Sequence, residues 1–266
     1  MQSIAKCPDN TFRQIKAVLC DIDDTLSWKG KLPAVAYMAL ENLQAAGLIV
    51  VPITGRPAGW CDHIARMWPV NGVVGENGAF YFYYDETSRK MVRKYWRDDI
   101  QLQKDRCRLQ RIAERVLAEI PGAAISADQG YRESDLAIDF CEDVEPLSQV
   151  EIEHIVDIFE SEGAIAKISS IHVNGWFGNY DKLLMARKIL EEVFKLSVDS
   201  NIASICFVGD SPNDVPMFEY FSNTVGVSNV IDFVDSMEAR PRWVTENPGG
   251  AGFAELAETL LKARER

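Results

Sequence analysis

The sequence lacks the features that would place it among disulfide-rich, secreted or membrane-spanning proteins. Its six cysteines are scattered, and no two of them form a Cys-x-x-Cys pair. This spacing argues against a disulfide framework and favours a reducing compartment. No apolar run approaches membrane-spanning length, and the N-terminal residues carry no apolar signal core. We therefore expect a cytoplasmic protein that has no membrane partner.

Basic residues are also scarce, because 28 Lys and Arg stand against 40 Asp and Glu, for a net charge of −12. No run rich in Lys or Arg stands out, so nucleic acid would be repelled over most of the surface. A small phosphorylated substrate is compatible with this negative charge, since a metal ion and one or two local cations can make the electrostatic potential inside a cleft positive. Whether the chain is a monomer or a dimer stays open.

Hydrophobic residues make up 47% of the 266 residues, which is enough for a substantial core. Short apolar runs at 15–20, 48–54 and 72–74 read as buried strands, and helical patterns separate them. The same alternation returns after residue 178. It is typical of a doubly wound, Rossmann-like α/β domain with a parallel sheet.

The middle of the chain follows another pattern. Two β-type runs, AFYFYY and MVRKYW, flank a turn and predict a hairpin, and then two helices alternate with several strands up to about residue 175. This order predicts a small α+β module inserted as a cap domain. We expect residues 1–97 and 178–266 to form the α/β core and residues 98–177 to form the cap.

The motif DIDDT, at residues 21–25, follows the first buried strand. Ligands of open α/β sheets bind where parallel strands end. Asp21 and Asp23 can project from one turn, so one carboxylate can attack a substrate while the other handles a proton. A helix cap or a solvated acidic turn would also account for this motif taken alone.

Two further strand ends carry polar groups. The second strand ends in Thr54 and Gly55, whose hydroxyl and backbone N–H groups suit an anion, although an ordinary helix cap is the alternative. The motif GDSPND supplies Asp210, Asn213 and Asp214 at the same edge of the sheet. Carboxylates that converge in this way repel one another unless a cation lies among them, which predicts bound Mg²⁺.

Lys182 stands at the start of a predicted helix, where the helix dipole disfavours a cation. This position suggests a specific role. We expect the ammonium group to neutralise a phosphoryl group and to keep the attacking carboxylate ionised.

In order and spacing, DIDDT, Thr54, Lys182 and GDSPND resemble the four motifs of the haloacid dehalogenase superfamily. The long insertion resembles the type IIB cap of its sugar-phosphatase-like branch. That branch includes the Cof-type, sucrose-phosphate and mannosyl-3-phosphoglycerate phosphatases and the phosphomannomutases. The resemblance covers essentially the whole chain and implies a Mg²⁺-dependent phosphatase of a small phosphate monoester, such as a sugar phosphate.

The resemblance also implies a role for each motif residue. Asp21 attacks phosphorus and becomes an aspartyl-phosphate, and Asp23 protonates the leaving oxygen and then activates water. Two groups of site residues follow. The metal ligands are Asp21, the Asp23 carbonyl, Asp210 and, through water, Asp214. The phosphate contacts are Asp21, Thr54, Gly55, Lys182 and Asn213. Asp24 departs from the pattern, because many relatives have glycine there, and we expect its side chain to face away from the phosphate.

Further residues are candidates for contacts with the substrate. They lie in loops of the core and along the predicted cap strands: Arg56, Asn77, Arg132, Glu133, His172 and Asn174. In type IIB relatives the cap sheet faces the core, so polar residues that alternate along it can meet a sugar. An ordinary exposed sheet is the alternative for each of the cap residues.

Two other functions stay open. A phosphomutase of the same fold would return the phosphoryl group to a second hydroxyl and would need extra cap cations, of which Arg132 is the one evident arginine in the cap strands. A non-catalytic sugar-phosphate-binding regulator would not need both Asp21 and Asp23. Hydrolysis fits the residues better than either of these.

Overall fold

A computed structural model describes residues 1–8, 11–169 and 171–265. Its strands are β1 (Gln2–Ser3), β2 (Ala17–Cys20), β3 (Ile49–Pro52), β4 (Val73–Gly75), β5 (Phe80–Asp85), β6 (Lys90–Tyr95), β7 (Ala124–Ile125), β8 (Asp135–Asp139), β9 (Ile165–Ile168), β10 (His172–Trp176), β11 (Ile205–Gly209), β12 (Asn223–Gly226) and β13 (Trp243–Val244). Its α-helices are α1 (Ala34–Ala45), α2 (Ala58–Met67), α3 (Asp99–Glu119), α4 (Gln149–Ser161), α5 (Lys182–Glu192), α6 (Val198–Asn201), α7 (Val215–Tyr220) and α8 (Gly249–Glu265).

The central sheet has six parallel strands in the order β1-β13-β12-β11-β2-β3. Alternate residues of β2 face opposite sides, as the pleat of a strand requires. Val18 and Cys20 pack in one hydrophobic layer with α1, α2 and α8, whereas Ala17 and Leu19 pack in another with α5 and α7. Helices thus cover both faces, and the predicted doubly wound α/β fold is confirmed.

The predicted hairpin is present as β5 and β6, which pair antiparallel and continue into β4. This three-stranded sheet adjoins the central one, because Ile53 bridges Val74 in parallel and Thr54 N donates to Val74 O at 2.9 Å. The chain therefore places the turn after β3 and the turn after β4 side by side.

A four-stranded antiparallel sheet, β7-β8-β10-β9, forms the inserted α+β module. Helices α3 and α4 pack on it through a separate hydrophobic cluster that includes Ile112, Ile138, Phe159 and Val173. Both helices begin with a capping box, at Asp98 and at Ser148, which satisfies N–H groups of the first turn. The domain boundaries at 97/98 and 177/178 stay a proposal.

The pattern of the sequence did not indicate the two-residue strands β1 and β13, which close one edge of the central sheet. The segment after β11 begins as a 3₁₀ turn, Pro212–Asp214, which leads into α7. Within the described residues, none of the helices is both long and apolar enough to cross a membrane.

Candidate active site

Asp21 and Lys182 form a buried ion pair at the carboxyl end of the central sheet. Lys182 Nζ donates to Asp21 Oδ1 at 2.7 Å and to Asp214 Oδ1 at 3.1 Å. Burial raises the pKa of Asp21 to about 8 against the opposing charge of Lys182, and the negative charges of Asp214 and Asp23 add to this rise. Burial lowers the pKa of Lys182, but Asp21 and Asp214 outweigh it, so the pKa lies above its ordinary value.

The start of α5 approaches the turn after β4 closely, which brings Lys182 to the sheet edge. Asp181 caps the helix by accepting from Leu184 N at 2.7 Å. Gly78 has φ +105°, and a Cβ at this position would lie 2.0 Å from the Asp181 carbonyl oxygen. Only glycine allows this approach, because any side chain would push the helix start away from the turn.

Three buried carboxylates, of Asp21, Asp210 and Asp214, offer oxygen atoms that all lie within 4.8 Å of one another. Asp210 accepts from Thr25 Oγ1 at 3.0 Å through one oxygen and from Asn229 Nδ2 at 3.1 Å through the other. Burial raises the pKa of Asp210 well above its ordinary range, and the charges of Asp21 and Asp214 add to this.

This cluster suits a hard divalent cation. Lys182 supplies one positive charge to three carboxylates, and it contacts Asp21 and Asp214 but not Asp210. An all-oxygen donor set of this kind is typical of Mg²⁺ or Ca²⁺ rather than of softer metals. Asp23, whose carbonyl is the remaining predicted ligand, does not belong to this side-chain cluster.

Asp23 faces the same cleft as Asp21, and Arg56 holds its carboxylate. The Arg56 Nε donates to Asp23 Oδ1 at 3.0 Å and Nη2 donates to the same oxygen at 2.9 Å. Arg56 Nη1 also lies 3.5 Å from Glu142 and 3.7 Å from Asp128, both in the inserted module. The guanidinium thus joins the acid of the core to two acids of the opposite module.

Most of the predicted contacts line one cleft: Asp21, Asp23, Gly55, Arg56, Asn77, Arg132, His172, Asn174 and Asn213. Thr54 is fully buried behind this surface, and its Oγ1 accepts from Arg56 N at 2.9 Å. The Nδ2 of Asn77 is buried without a hydrogen-bond partner among the described residues. Such a group is typical of a site that binds a polar ligand.

The predicted cap residues differ in how they are held. Arg132 is buried between Asp128 and Asp135, at 2.8 and 3.1 Å, and also donates to Gly55 O at 2.9 Å. His172 Nε2 lies 2.9 Å from Glu142, and burial followed by the nearby Arg132 charge lowers the His172 pKa.

Asn174 Nδ2 donates to Asp135 Oδ2 at 3.3 Å, which orients its side chain at the cleft. Glu133 is the one substrate candidate that does not line the cleft. Its carboxylate accepts instead from the Tyr95 hydroxyl of β6.

Two residues that sequence reasoning missed support the site from behind. Asn229 bridges Asp210, the Asp24 carbonyl and Gly249 N, at 3.1, 3.1 and 3.0 Å. Glu76 is fully buried and accepts backbone N–H groups from both modules. The sequence Gly-Glu-Asn at residues 75–77 is typical of a turn. It does not indicate which groups the carboxylate of Glu76 contacts.

Residues 18–104 match the model of a protein family described as haloacid dehalogenase-like hydrolase. The resemblance drawn from the four motifs is confirmed. This segment contains DIDDT, Thr54 and Gly55, and so includes two of the four motifs. No curated protein gives a significant sequence match to the chain.

Solved structures show the fold over nearly the whole chain. A Thermoplasma acidophilum protein is 18% identical, with a TM-score of 0.72 over 93% of this chain and 99% of its own. A Plasmodium vivax protein described as a putative HAD/COF-like hydrolase is 17% identical, with a TM-score of 0.66 over 94% of this chain and 96% of its own. The Synechocystis sucrose-phosphatase, solved with sucrose and phosphate, is 15% identical, with a TM-score of 0.62 over 93% and 98%.

Proposed function

We propose that the protein is a Mg²⁺-dependent phosphatase that hydrolyses a small phosphate monoester through an aspartyl-phosphate on Asp21. The observation that carries the proposal is that Asp21 and Asp23 line one cleft, with Lys182 bound to Asp21 at 2.7 Å. The hydrolase family of residues 18–104 supports this activity, as does a structural neighbour that is a sucrose-phosphatase. A sugar phosphate or a similar cytoplasmic metabolite is therefore the first substrate class to test.

In the proposed reaction, a carboxylate oxygen of Asp21 attacks phosphorus while the bond to the leaving oxygen breaks. Asp23 gives its proton to that oxygen and later takes one from the water that hydrolyses the acyl phosphate. Lys182, Thr54 and the N–H groups around Gly55 hold the phosphoryl oxygens as charge develops. Asp21, Asp210 and Asp214 would hold Mg²⁺, which when bound offsets the negative charge of carboxylates and phosphate together.

Phosphate release tests the proposal directly. We expect release from at least one member of a panel of sugar phosphates, phosphoglycolate, nucleotides and an aryl phosphate when Mg²⁺ is present. Chelation of the metal should abolish this release, and added Mg²⁺ should restore it. A folded sample that binds Mg²⁺ but releases phosphate from no compound would contradict the proposal and favour the mutase or the regulator.

Asn229→Ala is expected to weaken Mg²⁺ binding roughly 10-fold or more, because partners that orient a metal ligand contribute about 10–100-fold to affinity. The amide of Asn229 holds Asp210 Oδ2 at 3.1 Å, and its loss lets that carboxylate turn. The measurement is the Mg²⁺ concentration that gives half-maximal phosphate release, together with the rise in Tm that Mg²⁺ produces.

Asn223→Ala is the matched control for Asn229→Ala. Asn223 likewise donates a hydrogen bond from Nδ2, to Ala203 O at 2.8 Å, but it is buried on β12 outside the acidic cluster. An equal loss of Mg²⁺ affinity in both variants would show that destabilisation alone explains the effect and that Asn229 does not orient Asp210.

A further inference from the structure

A second cavity, of about 360 Å³, adjoins the catalytic cleft on the side of Asp23. Its walls come from two parts of the core: Ile22 and Leu32 from the segment between β2 and α1, and Trp60, Ile64 and Trp68 from α2 and the residue that follows it. The cavity therefore lies in the α/β core, whereas the catalytic cleft lies between the core and the four-stranded sheet.

The two cavities share Asp23 and Arg56, which line both of them. Asp23 is the residue to which the proposed reaction assigns protonation of the leaving oxygen. The part of the substrate beyond that oxygen therefore begins at the junction of the two cavities. It can continue either under the inserted module or into the cavity lined by Trp60 and Trp68.

The two routes differ in chemistry. On the side of the inserted module, Arg56 faces Asp128 and Glu142. Such charged groups can form hydrogen bonds with the hydroxyl groups of a substrate. The second cavity is lined mainly by apolar side chains, and Asp23 is its one carboxylate among the described residues. Its volume lies in the range of about 300–1,000 Å³ typical of small-molecule sites, which are mostly apolar with a few polar groups.

Trp60 is the residue of this cavity that best indicates what the cavity binds. It is 43% exposed, and the Arg56 guanidinium lies 4.5 Å from its ring centroid. The contact with Arg56 fixes one face of the indole beside Asp23. An exposed indole held in this way offers a flat apolar surface within reach of the leaving group.

We propose that this cavity binds the apolar part of the leaving group, so that the substrate is a phosphate monoester of an alcohol that carries an aromatic or aliphatic portion. The inference rests on the proposed phosphatase function, because it takes Asp23 as the group that protonates the leaving oxygen. In the reaction, the phosphorus–oxygen bond breaks as Asp21 bonds to phosphorus. The alcohol then departs with the proton from Asp23, and its apolar portion is already in the cavity.

Two alkyl phosphates of similar leaving-group acidity test the proposal: 2-phenylethyl phosphate and glycerol 1-phosphate. We expect kcat/KM for the phenylethyl ester to exceed that for the glycerol ester by about 10-fold or more, which corresponds to about 1.4 kcal/mol. Trp60→Ala should lower this ratio about 10-fold. Trp96→Ala is the matched control, since Trp96 is also partly exposed but lines neither cavity, and it should leave the ratio unchanged.

Because Trp60 also contacts Arg56, a second variant fills the cavity without removing that ring. His63 lines the cavity and is exposed, so His63→Trp adds volume there with little risk to folding. Calorimetric binding of 3-phenylpropylphosphonate, which cannot be hydrolysed, provides a readout besides turnover. We expect His63→Trp to weaken binding of this phosphonate about 10-fold and to leave binding of methylphosphonate unchanged.

The outcomes separate the inference from the function on which it rests. If neither ester and no compound of the panel releases phosphate with Mg²⁺, and the phosphonate does not bind, both the proposed function and the inference fail. If a compound of the panel is hydrolysed but neither ester is and the phosphonate does not bind, the inference alone fails. If both esters are hydrolysed at equal kcat/KM and neither Trp60→Ala nor His63→Trp changes the ratio, the inference is overturned while the phosphatase function stands. A ratio that falls in both variants but not in Trp96→Ala supports the cavity as the leaving-group site.

Discussion

Asp21→Asn is expected to lower kcat for phosphate release by about 10⁴-fold or more, because removal of a nucleophile leaves only binding and charge stabilisation. The amide oxygen of asparagine can still accept from Lys182, which now donates to Asp21 at 2.7 Å, so the buried contact survives. The measurement is single-turnover phosphate release with Mg²⁺, using the best substrate of the panel. A kcat within 10-fold of the wild-type value would contradict the aspartyl-phosphate mechanism.

The same variant should fold at least as well as the wild-type protein when no metal is present. Three carboxylates lie close together in the buried cluster, and the change removes the repulsion that Asp21 exerts on Asp210 and Asp214. Active sites commonly hold residues at the expense of stability. A Tm that falls by several degrees would instead attribute the lost activity to unfolding.

Asp24→Asn is the matched control for Asp21→Asn. Asp24 lies three residues further along, carries the same charge, and has φ +54°, a conformation that asparagine adopts readily. Its Oδ1 accepts from Lys29 N at 3.1 Å, which an amide oxygen can also do. We expect kcat within about threefold of the wild-type value. The positive φ also explains why glycine would suit this position.

The parts of the fold that follow from buried runs could be predicted from the sequence. Residues 17–20 and 205–209 are apolar on both faces of their strands, which only a sheet covered by helices on both sides accommodates. The acids after these runs therefore had to meet at one sheet edge. The position of Lys182 near these acids could be predicted for the same reason, because Lys182 begins a helix that packs on that sheet.

Contacts between segments far apart in the chain could not be predicted in this way. Arg56 and Glu142 are 86 positions apart, and their 3.5 Å contact depends on how the inserted module lies against the core. Asn229 lies near the start of the 3₁₀ segment Ser228–Ser236, and no pattern in the sequence indicated that its amide would reach Asp210. Side-chain direction in such turns is set by tertiary packing and not by local sequence.

Glu76 shows the same limit most clearly, since its role exists only between two modules. Its Oε1 accepts from Ala58 N and Glu133 N at 2.9 Å each, and its Oε2 accepts from Ser134 N at 2.6 Å and Asp135 N at 3.2 Å. These four N–H groups occupy all the acceptor positions of a carboxylate. Three of them precede or begin β8, directly after Arg132, so Glu76 fixes this strand end against the core.

Glu76→Gln is therefore expected to lower the free energy of unfolding by about 3 kcal/mol at pH 9, where the carboxylate is ionised. The amide nitrogen would face two backbone N–H donors, and each buried donor left without an acceptor costs about 1–3 kcal/mol. Arg132 would also shift from Gly55, so kcat/KM should fall as well. Denaturant unfolding gives the first quantity and phosphate release the second.

Glu255→Gln provides the comparison for this change, because Glu255 also accepts from two backbone N–H groups, of Glu246 and Asn247, but it is only half-buried and these hydrogen bonds are exposed to solvent. Water can replace its lost contacts, so we expect a change below about 0.5 kcal/mol. Equal effects of the two substitutions would contradict the assignment of Glu76 as the buried link between the modules.

The pH dependence of the difference between wild-type protein and Glu76→Gln has a defined sign. Burial, followed by the charge of Asp135, raises the pKa of Glu76 to about 8 although Arg132 opposes it. A carboxyl with a raised pKa binds more protons in the folded state, so its contribution to stability is greatest below the ordinary value of 4.5 and is lost as pH rises towards 8. Glutamine does not titrate. The stability difference between the two proteins should therefore narrow from pH 5 to pH 9, and a difference that widens would show that the N–H donors, and not burial, control this carboxyl.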